Sequence, residues 1–238
     1  MQSEVFPYST TGQTPLWWIA EPLDPAIRTQ IAAFNRIGLQ MQREALGELN
    51  DPAAESGGLP PAITELCETW RALDDAALSR LSAMPYLLFE MGFQELRPAV
   101  PARPSPATIA DARREFARSL LNYAWYLARA NPLGAAVGLG MPAASAAALR
   151  ELSFSDQEMY VPRIAACLSL RWADRPTVWR GMLAAATSGN DRALQLERVS
   201  GLRRLAGELL PVSSQRVLRT RTAAATGRQE TRSDQPLW

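Results

Sequence analysis

Residues 170–183 read LRWADRPTVWRGML, with three arginines around two tryptophans, a combination that could bind phosphate. Arginine forms paired hydrogen bonds with phosphate oxygens, and such contacts dominate the affinity of proteins for nucleic acid. The same spacing suits a helix start packed on a core, in which Asp174 pairs with Arg171 or caps the helix that the proline opens. The packing interpretation is favoured, so the predicted structural residues are Arg171, Trp172, Asp174 and Trp179.

A second basic segment, residues 192–221, is a better candidate for an anionic surface. Leucines and arginines alternate in it at helical spacing, which gives the mixed face that a DNA-contacting helix needs. Acidic residues at positions 191, 197 and 208 dilute the positive charge, and an ordinary solvated helix is the alternative interpretation. The predicted DNA-contacting, phosphate-binding residues are Arg198, Arg203, Arg204, Arg216 and Arg219.

The basic residues exclude several classes of enzyme. The chain has no histidine, and because it also has no lysine, all 25 basic residues are arginine. Histidine general bases, lysine Schiff bases and a P-loop lysine are therefore excluded. The acidic pair Asp74 and Asp75 is typical of helix capping, and Glu65 and Glu68 share a helix face without a metal-ligand cluster. Cys67 falls in an apolar stripe, so an inert buried thiol is predicted. We expect no catalysis, no cofactor and no metal.

Apolar spacing of three and four residues recurs along the chain and predicts an all-α, multi-helix fold. The charge is uneven, because residues 1–98 carry 13 acidic side chains against 6 arginines although the whole chain has a net charge of +1. Such asymmetry suggests an anionic partner for one half, or attraction between the halves. The predicted divisions are an irregular segment at 1–23, an acidic helical domain at 24–96, a proline-rich linker at 97–107, a second helical domain at 108–210 and a disordered tail at 211–238.

The second predicted domain contains SLLNYAWYLA, which is apolar on almost every side of a helix. A helix of this kind has to be buried on more than one side, and a partner subunit often supplies the cover. We therefore expect a homodimer. The predicted dimer-interface residues are Leu120, Tyr123, Trp125 and Leu127.

Five motifs follow one another along the chain, namely RSLLNYAWYLA, GLGM, LSFSDQ, LRWAD and TVWR. In this order they resemble the FlhD family, a subunit of the flagellar transcriptional activator, over about residues 116–210. The resemblance implies an all-helical dimerising fold that acts in transcription, a zinc-bearing FlhC-like partner, and DNA contact from the segment after residue 190. It gives no counterpart for residues 1–105. The family's cysteine falls one place away from Cys167, so no disulfide between subunits is carried over.

The expected function is that of a regulatory protein resembling a flagellar-type transcriptional activator subunit, which acts by oligomerisation with a partner protein and DNA. The alternative is a non-catalytic helical adaptor or scaffold that binds proteins only. No apolar run approaches the roughly 20 residues of a membrane span, and the N-terminus does not resemble a signal peptide. We therefore expect a cytoplasmic location.

Overall fold

The computed structural model describes residues 23–48, 60–92 and 111–209. Within these ranges it contains ten helices and two strands of two residues each, which confirms the predicted all-α, multi-helix fold. The helices are α1 (Pro25–Glu48), α2 (Pro61–Thr64), α3 (Cys67–Arg71), α4 (Asp75–Ser82), α5 (Asp111–Ala130), α6 (Pro132–Leu139), α7 (Ala143–Glu151), α8 (Phe154–Cys167), α9 (Pro176–Ser188) and α10 (Asp191–Leu209), and the strands are β1 (Phe89–Glu90) and β2 (Ser169–Leu170).

The helix α1 begins after an aspartate and at a proline, two residue types that favour a helix start. The Asp24 carboxylate accepts a hydrogen bond of 2.8 Å from the Ala26 amide, and Pro25 is the first helical residue. Asp24 thus satisfies an amide that has no acceptor inside the helix, and Pro25 has no amide proton to leave unsatisfied. From this start α1 runs across α3 and α4 and also contacts α5 and α6.

The regions on either side of the predicted linker share one hydrophobic core. The helix α9, from the second region, packs against α2 and α4, from the first. β1 pairs with β2 in antiparallel orientation, with Phe89 opposite Leu170. One cluster of buried side chains includes residues from both regions, such as Trp70 and Trp179. The predicted linker 97–107, and the segments 1–22 and 210–238, lie outside the described residues.

The helix α5 is covered by helices of its own chain. It packs against α1, α6, α7 and α8, and Leu120 and Leu127 are buried among them. The apolar surface that was expected to need a second subunit is therefore covered within one copy. Tyr126 is the exception on this helix, since 59% of its side chain remains exposed.

Candidate functional site

Arg171, at the centre of the first arginine cluster, lies in the core and is 5% exposed. Its Nε donates to the Leu87 carbonyl at 2.9 Å, and its Nη2 donates to the carbonyls of Leu139 at 2.9 Å and Phe89 at 3.2 Å. Burial lowers the pKa of the guanidinium below its ordinary value. Because Nε and Nη2 already donate to backbone carbonyls and the side chain is buried, Arg171 fixes β1 and the end of α6 and is not available to an outside phosphate.

Gly140, which follows α6, makes room for this arginine. It adopts a left-handed conformation with φ of 62°, which is typical of a glycine that ends a helix. A β-carbon at this position would lie 2.6 Å from a guanidinium nitrogen of Arg171. Glycine is therefore required here both by the backbone and by the neighbouring side chain.

The tryptophans of the same stretch are also buried. The ring of Trp179 packs 5.1 Å from that of Trp70, and its Nε1 donates to the Arg171 carbonyl at 2.8 Å. Trp172 has a positive φ of 56°, and its Nε1 donates to the Glu208 carboxylate at 2.8 Å. Asp174 neither pairs with Arg171 nor caps α9; it is exposed and lies 3.7 Å from an arginine next to it in the chain.

The helix α10 is anchored by one face. Leu194, Leu202 and Leu205 are buried, and Gly201 lies directly against the ring and hydroxyl of Tyr86. Burial raises the pKa of the Tyr86 hydroxyl above its ordinary value. The same ring packs edge-on against Trp172 at 5.7 Å, measured between ring centroids. Tyr86 therefore lies where the buried arginine stretch and α10 meet.

The predicted phosphate-binding arginines of α10 point in three directions. Arg203 is exposed, Arg204 lies over the Trp172 ring at 5.8 Å, and Arg198 lines a cavity between α10 and α1. An α-helix turns by about 100° per residue, so positions 198, 203 and 204 do not share a face. The structure thus does not bring these three side chains into one patch. Arg216 and Arg219 lie outside the described residues.

A different set of residues forms the exposed face of α10, which we name the α10 stripe. Leu196 is 63% exposed and Val199 is 42% exposed, although both are apolar. Within the described part of the chain, neither Arg192 nor Arg203 forms an ion pair with a carboxylate. The stripe consists of Arg192, Gln195, Leu196, Val199 and Arg203. The sequence prediction missed Arg192, although the 4-3-4 spacing of positions 192, 196, 199 and 203 marks one helical face.

No family model, curated protein or solved structure matches this chain. The resemblance to the FlhD family therefore rests on the five motifs and stays a prediction. None of the described helices combines the length and the apolar character that crossing a membrane requires.

The candidate catalytic carboxylates have structural partners. Glu65 and Glu68 each lie within 3.4 Å of an arginine, and Asp75 lies 3.0 Å from another. Asp74 caps α4 by accepting a hydrogen bond of 2.6 Å from a backbone amide. A cavity of about 330 Å³ between α1, α5 and the strands has Glu44 as the single acid in its lining. No group of three or more metal-ligating side chains occurs among the described residues.

All four predicted dimer-interface residues have partners inside one copy. Leu120 and Leu127 are buried, so they offer no surface to a second chain. The Tyr123 ring lies 5.3 Å from that of Phe34, and the Trp125 Nε1 donates to a backbone carbonyl at 2.9 Å. Burial raises the pKa of Tyr123 to about 12. The exposed aromatic side chains here are instead Tyr126 on α5 and Phe154 on α8, whose ring packs against that of Trp125.

Proposed function

We propose that the protein is a non-catalytic regulator of transcription that acts by assembly, with the α10 stripe as its contact to DNA. The observation that carries this proposal is a pair of exposed arginines on one face, Arg192 and Arg203, which form no ion pair with any described residue. They lie eleven positions apart, which corresponds to about 16 Å along the helix axis. Phosphate contacts by arginine position a protein on a duplex, and the FlhD resemblance implies DNA contact from this segment.

The second candidate function is that of an adaptor that binds proteins only. Leu196 and Val199 favour it, because two exposed aliphatic side chains at the centre of the stripe contribute little to phosphate binding but bury well against a protein. Under this second candidate, an FlhC-like partner protein is the expected occupant of the stripe. Arg192 and Arg203 would then form the rim of the contact and pair with acidic groups of that partner.

The proposal includes self-association, but through a different surface from the one expected. The rings of Trp125 and Phe154 lie 6.3 Å apart, and Tyr126 and Phe154 are 59% and 67% exposed. This aromatic edge, where α5 meets α8, offers the apolar area that Leu120 and Leu127 do not. Sedimentation velocity of the wild type and of Tyr126→Ser/Phe154→Ser tests it, and equal monomer fractions at high concentration would remove the dimer from the proposal.

A cytoplasmic location also remains part of the proposal.

The DNA contact is tested by fluorescence anisotropy of a labelled duplex at several salt concentrations. The double variant Arg192→Gln/Arg203→Gln should bind more weakly and should lower the slope of log affinity against log salt by about 2, because two phosphate contacts are lost. Arg118→Gln is the matched control, since Arg118 pairs with Glu115 and Glu158 on a distant helix. Its slope should equal that of the wild type.

The opposite outcome distinguishes the two candidates. A wild-type protein with no duplex affinity at about 50 mM salt, where phosphate contacts are strong, removes the DNA function. The adaptor then predicts that Leu196→Ser/Val199→Ser loses a partner that the wild type retains after nuclease treatment. Arg118→Gln again serves as the control, and the partner should survive in that variant.

A further inference from the structure

A partly open cavity of about 210 Å³ lies between α10, the first turn of α1 and the segment after α4. Two arginines line it, Arg28 from α1 and Arg198 from α10, together with Gln195. Apolar side chains, including Met84, Pro85 and Leu202, form the remaining wall. Arg28 belongs to the acidic half of the chain, so the cavity is assembled from both halves.

The charges of this cavity are unbalanced. Its lining has two cations and no carboxylate. Within the described residues, neither Arg28 nor Arg198 forms an ion pair, whereas Arg43 on the same helix as Arg28 reaches Asp75 at 3.0 Å. Two like charges beside one cavity repel, and the apolar wall reduces the screening by water. An anion in the cavity would remove this repulsion.

One donor of Arg198 also lacks an acceptor. Its Nε is inaccessible to solvent and has no hydrogen-bond partner among the described residues. A buried polar group without a partner destabilises a fold, and a charged group does so more strongly. The cavity holds several times the roughly 30 Å³ that one water occupies, so it has room for a polyatomic ligand.

From this geometry we infer that the cavity binds a phosphate group, with Arg28 and Arg198 as its ligands. A phosphate monoester carries a charge of about −1.5 to −2 at neutral pH, which matches two guanidinium groups better than a single carboxylate does. Arginine also suits its oxygens geometrically, because the planar guanidinium donates two parallel hydrogen bonds. The inference goes beyond the proposed function, because Arg198 projects from a different side of α10 than Arg192 and Arg203.

The test titrates inorganic phosphate into the purified full chain at constant ionic strength and follows the melting temperature, with acetate as the reference anion. The wild type should be stabilised by phosphate and not by acetate. Arg28→Gln and Arg198→Met should each weaken apparent phosphate affinity by about tenfold or more, because each loses a charged hydrogen bond. Arg192→Gln is the matched control, since Arg192 is on α10 but not in the cavity, and its response should equal that of the wild type.

Arg198→Met should also change the melting temperature of the protein when no phosphate is present. Because it places the methyl carbon of methionine where the buried Nε lay and so removes a polar atom that has no partner, it should melt at or above the wild-type temperature in the absence of phosphate. Arg28 is exposed, so Arg28→Gln should fold normally. It therefore keeps the inference testable even if Arg198→Met fails to fold. A wild type that responds equally to phosphate and acetate, or variants that respond like the wild type, would overturn the inference.

A duplex titration of the same variants separates the two sources of phosphate. If Arg28→Gln keeps the duplex affinity of the wild type but loses the phosphate response, the natural ligand is a small phosphorylated compound. If it loses both, the cavity holds a backbone phosphate of nucleic acid. If the proposed DNA function is wrong, the wild type does not bind duplex but is still stabilised by inorganic phosphate. If the inference about the cavity is wrong, phosphate does not stabilise the wild type more than acetate does.

Discussion

The stretch 170–183 and the helix α10 have similar compositions and opposite positions in the molecule. Each places arginines among apolar residues, and either could bind phosphate if composition alone decided. In the first, Arg171 donates to three backbone carbonyls and is buried. In the second, Arg192 and Arg203 are exposed and form no ion pair within the part of the chain that the structure describes. The contrast shows that an arginine is structural when backbone carbonyls from distant parts of the sequence accept its hydrogen bonds. The arginine-rich pattern alone does not decide this.

The largest effect should come from Arg171→Met. It leaves the carbonyls of Leu87, Phe89 and Leu139 without this donor inside the core. The free energy of unfolding should fall by about 3 kcal/mol or more, as measured by urea titration at neutral pH. Arg192→Met is the matched change in α10 and should alter it by less than about 0.5 kcal/mol. Equal losses in the two variants would contradict the contrast between the two regions.

A pair of glycine substitutions isolates the space that Arg171 occupies. Gly140 and Gly189 both end helices with positive φ, 62° and 64°. Alanine at either position should cost about 1–2 kcal/mol for the left-handed conformation. Only at Gly140 does the added carbon meet a guanidinium at 2.6 Å, while at Gly189 the nearest atom lies at 3.9 Å. Thermal or urea unfolding should therefore show the larger loss for Gly140→Ala, and the reverse order would be inconsistent with a tightly held Arg171.

Alkaline pH tests the contact between the two regions at Tyr86. Its pKa is raised above the ordinary 10.0 by burial, so the folded state holds the hydroxyl proton more tightly than the unfolded state. This stabilisation is complete below pH 10 and is lost as pH rises above 10, at up to about 1.4 kcal/mol per pH unit. Tyr86→Phe should reduce that slope in urea unfolding. The absence of lysine leaves few other groups titrating there, and Tyr123→Phe is a second comparison.

The smallest effect on stability should come from the α10 stripe itself. Arg192→Gln/Arg203→Gln removes two exposed charges that form no ion pair with another described residue. Its unfolding free energy should stay within about 0.5 kcal/mol of the wild type, even if its binding to DNA or protein changes strongly. A loss as large as that of Arg171→Met would mean that these arginines are structural after all. Differential scanning calorimetry of the binding-assay samples provides the measurement.

Apolar spacing predicted the all-α class of the fold, and the ends of individual helices depend on equally local interactions. The start of α1 at Asp24 and Pro25, and the end of α6 at Gly140, follow from one amide and one backbone angle. The pairing of Phe89 with Leu170 could not be found this way, because strands of two residues have no periodicity to detect. The cover over α5 was missed for a related reason. Apolar residues on every side of a helix show that it is buried, but not which chain buries it.

The candidate site was predicted in type and not in arrangement. The segment after residue 190 does carry arginines that form no ion pair with the residues described, but the direction of each one depends on helical phase and on neighbours from elsewhere in the chain. Arg204 lies over the ring of Trp172, and Arg198 shares its cavity with Arg28 from the other half of the sequence. Helical phase could have been read from the 4-3-4 spacing of the stripe. The position of Arg28 and Arg198 at one cavity could not have been predicted in this way, because it depends on tertiary packing.

The hydrogen bonds of residue 171 to positions 87–89 have a consequence for protein engineering. The Arg171 amide donates to Leu88 at 2.8 Å while its side chain donates to Leu87 and Phe89, so the two halves of the chain are joined without help from the covalent connection between them. A gene split between positions 92 and 111 should therefore yield two polypeptides that reconstitute the native protein when co-expressed. Each half produced alone would expose its share of the core and aggregate.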